Sequence, residues 1–207
     1  TGAAMAIETT GTPFVDPPRR MSMEKRAVLL SYAQDWLKRG IISPSTSEWA
    51  CNAHLVSDPS KPGGFRVVGD FRGLNARTIP DRYPTDSMED VYQVLLGADL
   101  VTCLDGTEGY LAIPIQEKDR HKTAIRLPVS METDGLFQFN VCLFGLRNAG
   151  QAYDRWINKI VAKLDSVCSF RDDLFVTTTR RLGETREAME DRHYQALQQC
   201  FATALQQ

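Results

Sequence analysis

Two neighbouring aspartates, Asp172 and Asp173, interrupt an apolar stretch of the sequence, SFRDDLFV at positions 169–176. A third, Asp105, ends the β-prone segment DLVTCLD at 99–105. Because the residues on both sides of the pair are strand-like, we predict that the pair occupies a hairpin tip. Side-chain alternation would then direct one carboxylate into a cleft and the other away. If the two strands are neighbours in one sheet, Asp105 and Asp172 converge.

Converging carboxylates repel each other, and this repulsion raises their pKa values unless a cation lies between them. Carboxylate oxygens suit Mg²⁺, which keeps several waters and completes its shell with substrate phosphates. Two such ions about 3.5–4 Å apart can activate an attacking hydroxyl and stabilise a leaving pyrophosphate. The three aspartates therefore indicate a phosphoryl-transfer site. From spacing alone, the alternative is that they are solvated loop acids.

The elements around these acids predict an α+β class, because helices and antiparallel hairpins alternate without a βαβ rhythm. Helices are predicted at 22–40, 87–97, 151–164 and 193–207, and a charged loop at 180–192. Strands are predicted at 50–56, 65–71, 99–105, 121–129 and 136–144, with a turn and a strand at 106–115, and the first two strands form a hairpin. Residues 1–20, rich in small residues and proline, are predicted to form an extended arm.

Composition limits the possible classes of protein. The chain has 207 residues, 43% of them hydrophobic, which is enough for one sizeable domain or two small ones. No apolar run reaches the ~18 residues of a membrane helix, no secretory signal is visible, and the first residue is Thr1. We therefore expect a piece of a longer product without a membrane span.

Cysteine usage and charge add two expectations. The five cysteines are widely spaced and form no metal-binding motif, which indicates buried thiols in a reducing, intracellular compartment. The net charge is −2, whereas residues 61–82 carry five basic and two acidic side chains. A nucleic-acid partner would need such a local basic surface. A solvated strand face is the alternative interpretation of this segment.

Six ordered segments within about residues 35–205 resemble the fingers and palm of reverse transcriptases. The resemblance is strongest to the gypsy-type LTR retrotransposon and retroviral group. The segments are KRGIISPSTSEWA (38–50), GGFRVVGDFRGLNARTIPDRYP (63–84), VTCLDGTEGYLAI (101–113), HKTAI (121–125), FNVCLFGLRNAGQAYDRWINKI (139–160) and SFRDDLFV (169–176). The last stands where the family has its aromatic-X-Asp-Asp hairpin. The resemblance implies a polymerase-like right hand reduced to fingers and palm, with an antiparallel sheet packed on helices.

The resemblance also implies an activity, RNA-directed DNA polymerisation, and a role for each matching residue. Asp105 and Asp172 would be the principal metal ligands for two Mg²⁺ ions, and Asp173 the companion catalytic carboxylate. The partners would be an RNA or DNA primer-template and a deoxynucleoside triphosphate. The predicted nucleotide-binding residues are Lys61, Arg66, Tyr110, Phe144 and Gly145, with Tyr110 excluding a 2′-hydroxyl. The residues predicted to shape the fingers against the template are Asp70, Phe71, Arg72 and Asn75.

The resemblance divides the chain into an arm (1–20), a fingers-like part (21–100, with 84–100 leading into the palm) and a palm-like part (101–207) with a C-terminal helix. No thumb or RNase H region is matched, so the fragment alone is expected to be inactive. Arg171 in the aspartate motif and Gly150 after Asn148-Ala149 depart from the family pattern. They leave a second hypothesis open, a catalytically inactive, retroelement-derived domain that serves as a structural subunit of a larger assembly.

Overall fold

A computed structural model of the chain describes residues 4–61, 64–85, 87–106, 108–171 and 173–204. It divides the chain into two compact units. The three-stranded unit contains Arg82–Gly109 and the chain from Gly150 onward, and the five-stranded unit contains Ala4–Asp81 and Tyr110–Ala149. Both units draw residues from each side of position 100. The division into fingers (21–100) and palm (101–207) therefore stays a prediction.

The helices and strands follow one another in this order along the described chain. They are α1 (Met23–Lys38), β1 (Ile42–Pro44), β2 (Cys51–Ser57), β3 (Phe65–Gly69), α2 (Arg72–Asn75), α3 (Met88–Leu96), β4 (Leu100–Asp105), α4 (Glu117–Arg120), β5 (Ile125–Pro128), β6 (Asp134–Phe139), α5 (Ala149–Val161), β7 (Val167–Phe170), β8 (Asp173–Thr178) and α6 (Arg186–Ala204). Short 3-10 turns occupy Gly109–Ala112 and His121–Thr123.

The five-stranded unit has the strand order β1-β6-β5-β2-β3. All pairings are antiparallel except β2 with β5, which is parallel. The predicted β2–β3 hairpin is confirmed, with His54 opposite Val68. Helix α1 begins after Ser22, whose side chain accepts from the Lys25 amide. The core of the unit includes Trp36 of α1, whose ring meets that of Phe139 edge-on.

The N-terminal arm is extended and packs into the five-stranded unit. Met5 and Ile7 are buried, and Met5 forms a bridge with Ile115. The Ile7 amide donates to the Asp119 carboxylate (3.0 Å), and the Lys122 ammonium donates to the Ile7 carbonyl (2.6 Å). Burial of these side chains makes the arm part of the core of this unit.

The three-stranded unit contains the antiparallel sheet β4-β8-β7. On β4, Val101, Cys103 and Asp105 are exposed and the residues between them are half-buried, as expected for a sheet with one covered face. Helix α3 has a capping box between Ser87 and Asp90, and it packs against β7. Helix α6 packs against β8.

Three predicted segments have a different secondary structure. Tyr110, predicted on a strand, lies in a 3-10 turn, and so does His121. Helix α6 begins at Arg186, seven residues before the predicted start, so the loop covers only the beginning of 180–192. The Thr185 hydroxyl accepts from the Ala188 amide at the start of the helix (3.2 Å), and Arg186 pairs with Glu190 one turn on (2.7 Å). The charged residues from 186 onward therefore lie on a helix, where Arg186 and Glu190 form an exposed i,i+4 pair, and not in a loop.

In the ranges that the structure describes, every helix is too short or too polar to cross a lipid bilayer. The five cysteines are free thiols. Cys51, Cys142 and Cys200 are buried, as predicted, whereas Cys168 is half-buried and Cys103 is exposed. Cys103 differs from the prediction because it shares the exposed face of β4 with Asp105.

Candidate active site

The two aspartate-bearing strands lie next to each other in one sheet, which is the condition set for their acids to converge. Strands β4 and β8 are antiparallel neighbours, and their register places Asp105 directly opposite Asp173. The Cys103 thiol lies 3.8 Å from the Asp173 carboxylate, so Asp173 lies on the exposed face of β4 that carries Cys103 and Asp105. Directly opposite residues have Cβ atoms about 4.5–5.5 Å apart, and like charges at that spacing destabilise a sheet. The strand pair thus holds two negative charges close together.

Asp172, the other half of the acidic pair, lies outside the described residues. Its convergence with Asp105 therefore stays a prediction. The preceding residue, Arg171, is exposed and has a left-handed backbone (φ 54°) at the hairpin tip. Its guanidinium lies 5.3 Å from the centre of the Phe170 ring, and this is a cation–π contact. Arg171 thus packs on Phe170 instead of neutralising Asp173.

The charges of Asp105 and Asp173 affect the neighbouring Cys103 thiol on the same face of the sheet. Desolvation raises the pKa of the Cys103 thiol, and the negative charges of Asp173 and then Asp105 raise it further. Among the described residues, neither aspartate forms an ion pair with a lysine or arginine. Two hard, negatively charged oxygen donors on an exposed sheet face, without a basic partner, fit a divalent cation such as Mg²⁺. No set of three metal-binding side chains occurs in the described ranges, which exclude Asp172.

The predicted nucleotide-pocket residues Tyr110 and Phe144 are brought together within the five-stranded unit. Their ring centres are 4.5 Å apart, with the planes tilted by 55°. Phe144 is 52% exposed, so the pair presents an aromatic surface to solvent. Gly145 follows with a φ of 93°, a conformation in which a residue with a side chain would be strained. The glycine lets the chain turn immediately after Phe144.

Asn75, predicted at the template, holds the loop that carries Phe144. Its side-chain amide donates to the Gly145 carbonyl (2.7 Å), and its side-chain oxygen accepts from the Arg147 amide (2.9 Å). The Arg147 guanidinium also donates to the Asn75 carbonyl (3.1 Å). Asn75 therefore holds in place the loop that carries Phe144. Nothing in the sequence indicated these two hydrogen bonds.

Asp70 and Phe71 are buried, with relative exposures of 8% and 2%. The Asp70 carboxylate accepts two hydrogen bonds from Arg72 (2.8 and 2.7 Å), and Arg19 lies 3.3 Å from it. The hydrogen bonds from Arg72, followed by that from His54, hold the pKa of Asp70 well below its usual range, although burial opposes them. Asp70 and Phe71 are therefore inside the five-stranded unit, whereas Arg72, predicted with them at the template, is exposed.

Arg66 and Lys61, predicted to bind a triphosphate, are both exposed. Arg66 is on β3, opposite Val56, and Lys61 is in the turn between β2 and β3. Residues 62–63 lie outside the described residues. The two cations thus lie on the same β2–β3 hairpin. Their role in binding a triphosphate stays a prediction.

The sequence did not reveal the contacts of two further side chains, Arg19 and His193. Arg19 of the arm reaches both His54 (2.7 Å) and Asp70. His193 of α6 bonds Thr102 and Thr178, which are 91 and 15 residues away in sequence. Separations of this kind leave no local pattern that could have revealed the contacts.

The sequence matches the family described as reverse transcriptase (RNA-dependent DNA polymerase) over residues 56–205. It is 35% identical over 145 residues to the retrovirus-related Pol polyprotein from transposon opus of Drosophila melanogaster, covering 68% of this chain and 14% of that protein. It is 33% identical over 156 residues to the Pol polyprotein from transposon gypsy of the same species, covering 72% of this chain and 15% of that protein. The chain thus spans a small part of these relatives.

Solved structures share the fold. The foamy viral protease-reverse transcriptase in complex with double-stranded DNA superposes with a TM-score of 0.78 at 17% identity, covering 96% of this chain and 32% of that one. The native protease-reverse transcriptase of prototype foamy virus gives a TM-score of 0.74 at 21% identity, covering 98% and 25%. These likenesses confirm the predicted α+β polymerase fold. Together with the match over residues 56–205, the findings show that the chain belongs to the reverse transcriptase family, in its gypsy-type retrotransposon branch.

Proposed function

We propose that this reverse transcriptase domain transfers nucleotides from deoxynucleoside triphosphates to the 3′ end of a primer on an RNA or DNA template. The observation that carries the proposal is the placement of Asp105 opposite Asp173 on an exposed sheet face. A pair of like charges at this spacing costs stability, and a bound cation would remove that cost. Such an arrangement is expected where function, rather than folding, selects the residues.

Asp105 and Asp172 would hold two Mg²⁺ ions, with Asp173 as the companion carboxylate. When bound, the ions would activate the primer hydroxyl and stabilise the leaving pyrophosphate. The contribution of the chain is to fix the carboxylates on paired strands, since strands hold side chains more rigidly than loops do. The β4–β8 pairing supplies this for Asp105 and Asp173.

The aromatic pair would select the sugar of the incoming nucleotide. The Tyr110 ring is held against Phe144, and Asn75 fixes the loop behind Phe144. A ring fixed in this way can exclude a 2′-hydroxyl by bulk. Arg66 and Lys61 would bind the triphosphate, since a guanidinium matches phosphate oxygens in shape and charge.

A nucleic-acid partner agrees with the solved foamy viral protein, whose structure is a complex with double-stranded DNA. On this chain, the exposed Arg72 is available for a template strand, and Asp70 and Phe71 would support it from below. Phosphate contacts of this kind weaken as salt concentration rises. Primer-template affinity that falls steeply with salt would therefore support this partner.

We also propose an intracellular, reducing compartment for the protein. Desolvation by burial raises the pKa values of the Cys51 and Cys142 thiols to about 12. Buried thiols that stay protonated react poorly, because the thiolate is the reactive form. A fold that keeps them as free thiols suits a reducing compartment. Labelling of free thiols in the protein purified without reductant would test the proposal, which predicts five free thiols per chain.

Single-nucleotide primer extension on an RNA template, with Mg²⁺ or Mn²⁺, tests the activity. The assay uses the full-length natural protein that contains this sequence, because the sequence covers only a small part of the length of its relatives. Asp105→Asn keeps the size of the side chain and removes its charge. We expect extension to fall by at least about 10³-fold.

Asp191→Asn is the matched control, because Asp191 is an exposed aspartate on α6. Its extension rate should equal that of the wild type. A wild-type product that extends no primer with either metal ion would contradict the proposal. That result would support the second hypothesis, an inactive structural subunit.

A further inference from the structure

The buried face of α6 carries a histidine beneath the strands that hold the acidic pair. His193 is 9% exposed and shares this face with Met189 and Cys200. Among the described residues of the three-stranded unit, it is one of three buried polar side chains, with Ser169 and Thr178. Buried polar groups are stable when they are hydrogen-bonded, so the partners of His193 decide what it does.

Both ring nitrogens of His193 have partners. Nε2 lies 2.8 Å from the Thr102 hydroxyl on β4, and Nδ1 lies 2.9 Å from the Thr178 hydroxyl on β8. A neutral imidazole has one N–H donor and one acceptor nitrogen, and a hydroxyl can serve as either. One ring therefore joins the helix to two neighbouring strands.

The same two strands carry Asp105 and Asp173 on their other face. Thr102 is three residues before Asp105 on β4, and Thr178 is five residues after Asp173 on β8. Odd spacings along a strand place side chains on opposite faces. The hydrogen bonds of His193 are thus on the covered face of the sheet, whereas the carboxylates lie on its exposed face.

A second attachment lies next to this bridge. Arg192 donates to the Thr179 carbonyl (2.8 Å), just after β8, and pairs with Glu184 (2.8 Å). The hydrogen bonds from Arg192 lower the pKa of Glu184 to about 2. The start of α6 is therefore fixed to the end of β8, and His193 extends that attachment to β4.

We infer that His193 is a positioning residue, which reinforces the β4–β8 pairing from below and so holds the Asp105 and Asp173 carboxylates at the separation that this pairing gives. This inference rests on the proposed function, since that separation matters only if the carboxylates share a metal ion. Groups that orient metal ligands from behind typically change metal affinity or activity by about 10–100-fold when removed.

Two measurements on His193→Ala test the inference without relying on activity. The first is amide hydrogen exchange of Thr102–Asp105 and Asp173–Val176, and the second is the Kd for Mn²⁺ from electron paramagnetic resonance. We expect faster exchange in both strands and a Kd about tenfold weaker. Met189→Ala is the matched control: Met189 lies one turn earlier on the same buried face of α6 and forms no hydrogen bond to the strands through its side chain.

Met189→Ala should loosen the packing of α6 and leave the Kd for Mn²⁺ unchanged. Thr178→Val removes one partner of His193 and should weaken Mn²⁺ binding, whereas Thr178→Ser keeps a hydroxyl and should restore it. These milder variants test the same contact if His193→Ala does not fold.

Equal Mn²⁺ affinity in the wild type, Thr178→Val and His193→Ala would overturn the inference and leave His193 a purely structural residue. A parallel loss in Met189→Ala would overturn it as well, because any loosening of α6 would then suffice. The proposed function fails differently: the wild type would then bind no Mn²⁺, or Asp105→Asn would bind it as well as the wild type.

Discussion

Two acidic sites in this protein differ in what surrounds the carboxylate. Asp70 of the five-stranded unit is buried, and Arg72, Arg19 and His54 all contact it. In the three-stranded unit, Asp105 and Asp173 face each other across two strands, without an ion pair to lysine or arginine in the described ranges. The charge of Asp70 is thus paired within the fold, whereas the acidic pair has the arrangement that the proposed metal site requires.

The difference also explains why burial alone does not identify the functional acid. Asp70 is buried and its pKa is held below the usual range, and both are features often associated with active sites. Its perturbation has a structural cause, because the hydrogen bonds from Arg72 account for the largest part. Under the proposed function, the indicator is instead a pair of like charges without a lysine or arginine partner among the described residues.

The largest expected effect separates the two sites by activity. Asp173→Asn removes one charge of the exposed pair and should lower the rate of primer extension by at least about 10³-fold. Asp70→Asn, in a buried ion-pair cluster, should change the rate by less than about tenfold, provided that the protein is folded. Single-turnover kinetics at saturating nucleotide measures both rates. Equal losses in the two variants would remove the distinction between the sites.

A smaller effect concerns the aromatic pair. Tyr110→Val removes the ring that packs on Phe144 and should reduce discrimination against ribonucleotides by about 10–100-fold. The measurement is the ratio of kcat/KM for a deoxynucleotide to that for the matching ribonucleotide. Tyr194→Val, at an exposed tyrosine of α6, is the control and should leave the ratio unchanged. An unchanged ratio in Tyr110→Val would mean that another group reads the sugar.

The strand assignments around the acidic pair could be predicted because the relevant features are local. The alternation in LVTCLD and the apolar residues that flank the aspartates specify β4, β7 and β8, and the segments resembling the family placed them in one sheet. The early start of α6 was not predicted, because the charged residues at 186–192 were read as a loop. The His193 bridge and the Arg19 contacts were invisible, since they depend on tertiary packing across long separations.

The stability of the Asp70 site should depend on pH. The folded-state pKa of Asp70 is depressed, so its contribution is fully present above the unfolded value of about 3.9 and is lost as pH falls below it. We expect Asp70→Asn to lower the free energy of unfolding by about 1–3 kcal/mol at pH 7. The exposure of Arg72 keeps this figure modest.

Urea unfolding of the wild type and Asp70→Asn from pH 7 to pH 2 measures this contribution. The difference between the two proteins should shrink as pH falls from about 5 to about 2. A difference that is constant over this range would show that the ion pairs of Asp70 do not supply it.

The smallest expected effect is a gain in the free energy of unfolding at the Asp105–Asp173 pair, whereas Asp70→Asn is expected to give a loss. In the presence of a chelator, Asp105→Asn should raise the free energy of unfolding by about 0.2–1 kcal/mol, because it removes one of two like charges across β4 and β8. Asp191→Asn, on the solvated side of α6, should change it less. Chemical denaturation at low salt detects the gain, and destabilisation of Asp105→Asn would show that this carboxylate has a folding partner.

Binding of Mn²⁺, measured side by side for the wild type, Asp105→Asn and Asp70→Asn by electron paramagnetic resonance, tests the central claim most directly. If the exposed pair is the metal site and Asp70 is a folding group, Asp105→Asn should weaken binding at least about tenfold, and Asp70→Asn should bind as the wild type does. Retention of Mn²⁺ by Asp105→Asn, or an equal loss in Asp70→Asn, would contradict the account.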